Sequence, residues 1–265
     1  MNLSRIKSFV EARPRLWALA WRLHHILPFL LPHDPTYYAL KYFSREGGGL
    51  ILDIGANQGI SALSFLKLCP TYQIISIEPN RAHEANLTKI KKKHKNFDYM
   101  VLGLANQVGE LTLHTPVYGR VPLHTFASLD REHAQNMLNR TYKDNVLKDI
   151  TIETNTCDVK RLDDLKLMPS IMKIDAEGFE LEIMKGGMDT ISKCRPQIIF
   201  EACNDDILPI AKLLEQFDYV LTRYIPDEDV FVLYDVDNAK YVSGMRNVIA
   251  VRKEDVSGLP FRGEK

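Results

Sequence analysis

Apolar and polar positions fall into short blocks with two alternating periods. Largely apolar blocks at residues 50–54, 73–78, 97–104, 170–175 and 197–201 predict strands buried on both faces, as in parallel sheets. Stretches with helical spacing separate them and predict helices over 61–68, 81–93, 179–188 and 206–217. Leu111 and Leu113 against Thr112 and His114 set a period of two, so 109–115 predicts an exposed strand, as does 150–156. β segments follow at 219–224, 230–233 and 247–251. Alternating strands and helices predict a doubly wound α/β fold, mostly parallel, with helices on both faces and an antiparallel C-terminal edge. Residues 117–149 are polar and irregular, too long for an ordinary connection, and are expected to form an insertion that serves as an acceptor-binding lid. Leu16, Leu19, Ala20, Leu23, Ile26 and Leu27 recur at helical spacing and predict an amphipathic helix within residues 1–36, with the main domain at 37–265.

Charge narrows the partners. Lys+Arg and Asp+Glu both number 34, so the balance argues against non-specific nucleic-acid binding. Arg22, His24, His25 and Pro28 interrupt the N-terminal apolar run, which is too broken for a membrane span, and no signal-peptide cleavage pattern follows. Arg5, Lys7, Arg13, Arg15 and Arg22 leave peripheral membrane contact through residues 1–31 open. The alternatives are a helix that packs on the domain, caps the cofactor site, or pairs with a second copy in a homodimer. Cys69, Cys157, Cys194 and Cys203 lack zinc-site spacing and read as reduced thiols of a cytoplasmic protein.

The chemistry concentrates where the first strand ends. Residues 50–59 read Leu-Ile-Leu-Asp-Ile-Gly-Ala-Asn-Gln-Gly, an apolar strand with Asp53 inside it and then the turn Gly55-Ala56-Asn57-Gln58-Gly59. Gly55 and Gly59 permit a tight turn, and Asn57 tolerates a left-handed backbone. A dinucleotide turn wants Gly-x-Gly-x-x-Gly over a pyrophosphate. Here Asn57 replaces the middle glycine and an acid precedes the turn, which suits a cationic cofactor without phosphate: S-adenosylmethionine. Glu78, roughly 20 residues on, stands where an acid accepts from ribose hydroxyls, and Asn80 closes that strand. Asp53, Gly55, Ala56, Asn57, Gly59, Glu78, Asn80 and Asp175 are thus the candidate cofactor residues.

Three blocks resemble the FkbM family of S-adenosylmethionine-dependent methyltransferases. They are Ile51 to Gly59; Ile171-Met172-Lys173-Ile174-Asp175-Ala176-Glu177-Gly178-Phe179-Glu180 running on to Gly187; and the weaker Arg161-Leu162-Asp163-Asp164-Leu165. Lys-Ile-Asp-x-Glu-Gly is the most specific, since general methyltransferases lack it. The resemblance covers about residues 37 to 253. Arg161 departs from it, standing where the family usually has a small hydroxyl residue, at an expected N-cap. The resemblance implies a Rossmann-like methyltransferase sheet and methylation of a hydroxyl on a sugar, glycan or small natural product.

Asp175 and Lys173 share a strand face. A buried lysine needs a partner, either Asp175 or Glu201. Asp175 is a candidate base or a contact to the cofactor's methionine moiety; the alternative is a structural ion pair with Lys173. Glu177 and Glu201 are weaker candidates. His114, His124 and His133 lie in or beside the insertion, and His124 is the histidine chosen as catalytic base beside Asp175. No metal site is expected, and Asp163-Asp164 reads as the start of a short helix. An NAD-linked oxidoreductase is disfavoured by the missing glycine and by the absence of Tyr-x-x-x-Lys. A binding or scaffold protein without chemistry is disfavoured by the intact acids.

Overall fold

The computed structural model describes residues 32–44, 46–202, 207–236 and 247–262. The expected N-terminal helix and Cys203 lie outside them. No helix among the described residues is long and apolar enough to cross a membrane.

The chain enters through a 3-10 segment, Pro35–Tyr42, started by Asp34, whose side chain accepts from the Thr36 amide. It then alternates β1 (Leu50–Ile54), α1 (Ile60–Leu68), β2 (Gln73–Ile77), α2 (Glu84–Lys93) and β3 (Phe97–Met100). A second unit follows: β4 (Gly103–Leu104), β5 (Gly109–Tyr118), β6 (Val121–Pro122), α3 (Arg131–Thr141), α4 (Asp144–Leu147) and β7 (Ile150–Lys160). The remainder is β8 (Ile171–Ile174), α5 (Glu180–Lys185), α6 (Met188–Cys194), β9 (Gln197–Glu201), α7 (Ile207–Glu215), β10 (Tyr219–Ile225), β11 (Val230–Leu233) and β12 (Asn247–Arg252).

The main sheet has the order β11-β10-β12-β9-β8-β1-β2-β3. Strands β9, β8, β1, β2 and β3 pair in parallel, while β12 runs antiparallel to both β9 and β10. The last strand is therefore wedged inside the sheet, and the antiparallel pairing is not confined to the outermost edge. Each face is sealed by its own core. Ile51, Ile171 and Ile199 pack with Phe65, Leu87 and the Tyr37–Leu40 turn. Leu52, Ile54 and Met172 pack with Ile183, Ile191 and Leu214 on the other side. By period two, Asp53 and Lys173 point to the first face, beneath α1.

Three expectations are corrected. The block 97–104 is two strands: β3 stays in the main sheet, and β4 joins a second sheet of order β4-β7-β5-β6. Residues 117–149 are not irregular, because β5 and β7 pair antiparallel from Gly109↔Val159 to Tyr118↔Ile150 and carry β6, α3 and α4 between them. The polar surface of α3 and α4 hid their period. The helix expected over 179–188 breaks at Gly186–Gly187 into α5 and α6, and Asp163 caps α6 by accepting from the amides of Asp189 (3.2 Å) and Thr190 (2.7 Å). Asp164 pairs with Arg161, whose side chain does not cap the turn after it.

Candidate active site

β1 delivers the chain into its turn at Gly55, with φ +73°, where a Cβ would stand 1.7 Å from the Asp175 carbonyl oxygen. Only glycine permits that approach, so the loops after β1 and β8 meet backbone to backbone. Asn57 is left-handed, with φ 49°, as its residue type allows. Gly59 has φ +85°, and its α-carbon faces Ile90 of α2 so closely that a Cβ would come within 2.4 Å.

Beneath this turn lies a buried charge cluster. Asp53 is fully buried; it accepts from Ser61 Oγ (2.9 Å to each oxygen) and Ser76 Oγ (2.8 Å). Lys173 Nζ stands 3.6 Å from Asp53 and 3.4 Å from Asp175, and donates to the carbonyls of Ile54 (3.2 Å) and Gly55 (2.7 Å). Burial alone would lower the lysine's pKa, but Asp175 and Asp53 outweigh it and hold the ammonium above its ordinary value. The partner of Lys173 is therefore Asp53 together with Asp175. Asp53 sits behind the cleft, so its carboxylate acts through Lys173 instead of touching a ligand.

The cleft opens at the carboxyl ends of β8, β1 and β2, where ligands sit in open α/β sheets. Gly55, Asn57, Glu78, Asn80, His124 and Asp175 line it; Asp53, Ala56 and Gly59 do not. Leu102, Leu104, Leu129, Phe179 and Ile183 supply its apolar wall. No lysine or arginine lines it among the described residues. Glu78 accepts from the amides of Asn57 (2.7 Å) and Asn80 (2.8 Å). Burial pushes its pKa up to about 7 against those two donors.

A second acid organises the loop after β8. Glu180 is fully buried and accepts from the amides of Ala176 (2.7 Å) and Gly178 (3.1 Å); burial raises it to about 7 as well. The loop it braces turns through Glu177, at φ 50°, and Ser128 Oγ from the insertion donates to the Glu177 carbonyl at 2.7 Å. Asp175, Glu177 and Glu201 bring carboxylate oxygens within 4.8 Å of one another, a grouping with the chemistry to hold a cation although no metal was expected from sequence.

The three histidines separate. His114 exchanges backbone hydrogen bonds with Ser128 on β5. His133 of α3 packs on Gly178. His124 reaches the cleft and meets Asn80, its Nδ1 3.1 Å from Asn80 Nδ2. Sequence reading missed Ser61, Ser76 and Glu180 as site residues. Ser61 and Ser76 carry no motif, whereas Glu180 stands in the Asp-x-Glu-Gly-x-Glu spacing and could have been found there.

The sequence model of the methyltransferase FkbM domain matches residues 53–221. No curated protein matches the chain. Among solved structures, the chain is similar to methyltransferase FkbM from Methylobacillus flagellatus KT, at 17% identity and TM-score 0.48, covering 76% of this chain and 43% of that one. It is also similar to precorrin-6y C5,15-methyltransferase from Geobacter metallireducens GS-15, at 13% identity and TM-score 0.41, covering 82% and 87%. A SAM-dependent O-methyltransferase from Thermotoga maritima matches at 11% identity and TM-score 0.39, covering 88% and 67%. The chain thus spans less than half the length of the Methylobacillus protein.

Proposed function

The chain belongs to the FkbM methyltransferase family, and from that premise we propose that it transfers a methyl group from S-adenosylmethionine to a hydroxyl of a sugar, glycan or small natural product. The family match over residues 53–221 supports the methyl transfer; the use of SAM, the hydroxyl and the acceptor class are our reading. One observation carries it: a cleft lined by Glu78, Asp175 and Glu177, with no lysine or arginine among the described residues.

That lining fits the cofactor. Glu78 offers a carboxylate for a pair of ribose hydroxyls, and Asp175 and Glu177 offer negative charge to an ammonium and a sulfonium. Leu102, Leu104 and Phe179 offer apolar surface for a purine. A pyrophosphate would meet three acids and no cation, which weighs against the NAD reading.

When bound, S-adenosylmethionine supplies a methyl group already activated by its sulfonium. The chain's residues hold the acceptor, exclude water and take its proton. Asp175 is our choice of base. Its carboxylate is partly exposed in the cleft, and Lys173 fixes its orientation from below at 3.4 Å. The insertion, tied to the Glu177 carbonyl through Ser128, is our choice for the lid over the acceptor. We keep a small-molecule or glycan acceptor, no nucleic-acid partner, and residues 1–31 as a membrane-contact or dimer segment.

The test is methyl transfer from labelled SAM across hydroxylated sugars, glycans and small metabolites, with Asp175→Asn beside the wild type. Labelled product with wild type, and turnover lowered at least a hundredfold in Asp175→Asn, far more than SAM affinity is weakened, supports the reading. Transfer only to nitrogen or carbon acceptors overturns the hydroxyl assignment.

A further inference from the structure

His124 begins the short turn His124–Phe126 and contributes its ring to the cleft. The Asn80 side-chain oxygen accepts from the Ala82 amide at 3.1 Å, which fixes the amide group with Nδ2 turned toward His124 Nδ1 at 3.1 Å. An amide NH2 can only donate, so Nδ1 accepts and the ring proton sits on Nε2. The His83 ring packs edge-on at 4.6 Å. Burial holds both imidazoles below their ordinary pKa, His83 at about 4. His124 is therefore neutral near pH 7, with its one lone pair already engaged. Such a ring donates a hydrogen bond and does not take a proton.

Its place in the sheet agrees. β8 and β2 flank β1, so their carboxyl ends stand about 10 Å apart. Asp175 follows β8, whereas His124 is anchored by Asn80, which follows β2. With SAM as the cofactor, a premise taken from the reading above, the ribose lies between the methionine arm and the adenine. Ribose hydroxyls at Glu78 and an ammonium near Asp175 and Glu177 leave the adenine on the other side, beside Asn80, Leu102 and His124.

We propose that His124 donates its Nε2–H to a ring nitrogen of the cofactor's adenine, and so binds the cofactor instead of serving as the base. The donor comes from the insertion, on the turn His124–Phe126.

The full chain is titrated with S-adenosylhomocysteine and its 1-, 3- and 7-deaza analogues, using wild type and His124→Ala. Wild type is expected to lose about tenfold in affinity for one deaza analogue, the worth of one hydrogen bond. His124→Ala is expected to bind the parent about tenfold more weakly and to lose the discrimination. Histidine-selective nitrogen NMR at pH 8 is expected to show the Nε2–H tautomer. Unchanged affinity in His124→Ala, or an Nδ1–H tautomer at pH 8, overturns this assignment while leaving the methyltransferase reading intact. Failure of the wild type to bind S-adenosylhomocysteine overturns both.

Discussion

At the scale of single residues, Lys173 ties the site to the fold. It is buried against Asp53 and Asp175, so Lys173→Met leaves two carboxylates facing each other without a cation. A loss of about 3–5 kcal/mol in unfolding free energy is expected, measured by denaturant titration. Adding Asp53→Asn should recover much of it, and equal stability of single and double variants would contradict the coupling. Glu78 makes a different statement. Its pKa is raised from 4.5 to about 7, as is that of Glu180. A carboxyl whose folded value is raised binds more protons folded than unfolded. Its contribution is present in full below 4.5 and is lost as pH rises through about 7. The ligand-free protein should therefore be more stable at pH 5 than at pH 8, and Glu78→Gln with Glu180→Gln should flatten that slope. These two behaviours differ in how far sequence showed them. Lys173 announced its need for a partner by lying in an apolar strand. Asp53 read as a ligand contact because its burial depends on Ser61 and Ser76, one on α1 and one on β2, which no local pattern brings together.

At the scale of elements, the strand–turn–helix unit at β1 and the loop after β8 were legible because each has a spacing that only its backbone explains. Gly55, Asn57 and Gly59 all adopt positive φ, as the turn motif required. Gly55→Ala should abolish cofactor binding, since its Cβ would collide with the Asp175 carbonyl; binding retained at wild-type affinity by calorimetry would contradict that packing. The insertion was legible only in part, through the strands expected over 109–115 and 150–156. Its strands β5 and β7 pair with each other in a sheet of their own, and the polar faces of α3 and α4 read as loop. Ser128 grips the acid loop from there, at 2.7 Å from the Glu177 carbonyl. Ser128→Ala should cost about 1 kcal/mol of global stability and raise the KM for the acceptor, with SAM affinity kept. An unchanged acceptor KM would remove the insertion from the acceptor site.

At the scale of the whole molecule, order in the sheet places the chemistry. The carboxyl ends of β8, β1 and β2 converge on one cleft, and the reversed strand β12 lies between β9 and β10, with Asn247 paired to Glu201. The matched family region starts at Asp53, yet the Pro35–Tyr42 turn packs Tyr37 into the same core as α1, and Asp34 accepts from Asn247 at 2.8 Å. The described site residues all lie beyond residue 32, and a chain lacking residues 1–31 should bind SAM as the full chain does. Loss of binding on that truncation would place part of the site in those residues. The doubly wound α/β class was readable from apolar blocks and turn residues; the place of β12 inside the sheet was not, and neither was the acceptor, because no side chain in the cleft names one. The central claim is that the acid-lined cleft holds S-adenosylmethionine. Calorimetric titration of the full chain and of Glu78→Ala with SAM, S-adenosylhomocysteine and NAD tests it most directly. The expected result is saturable binding of both adenosyl ligands by the full chain, at least tenfold weaker binding by Glu78→Ala, and no heat with NAD. A folded protein that binds NAD, or that binds neither adenosyl ligand, would contradict it.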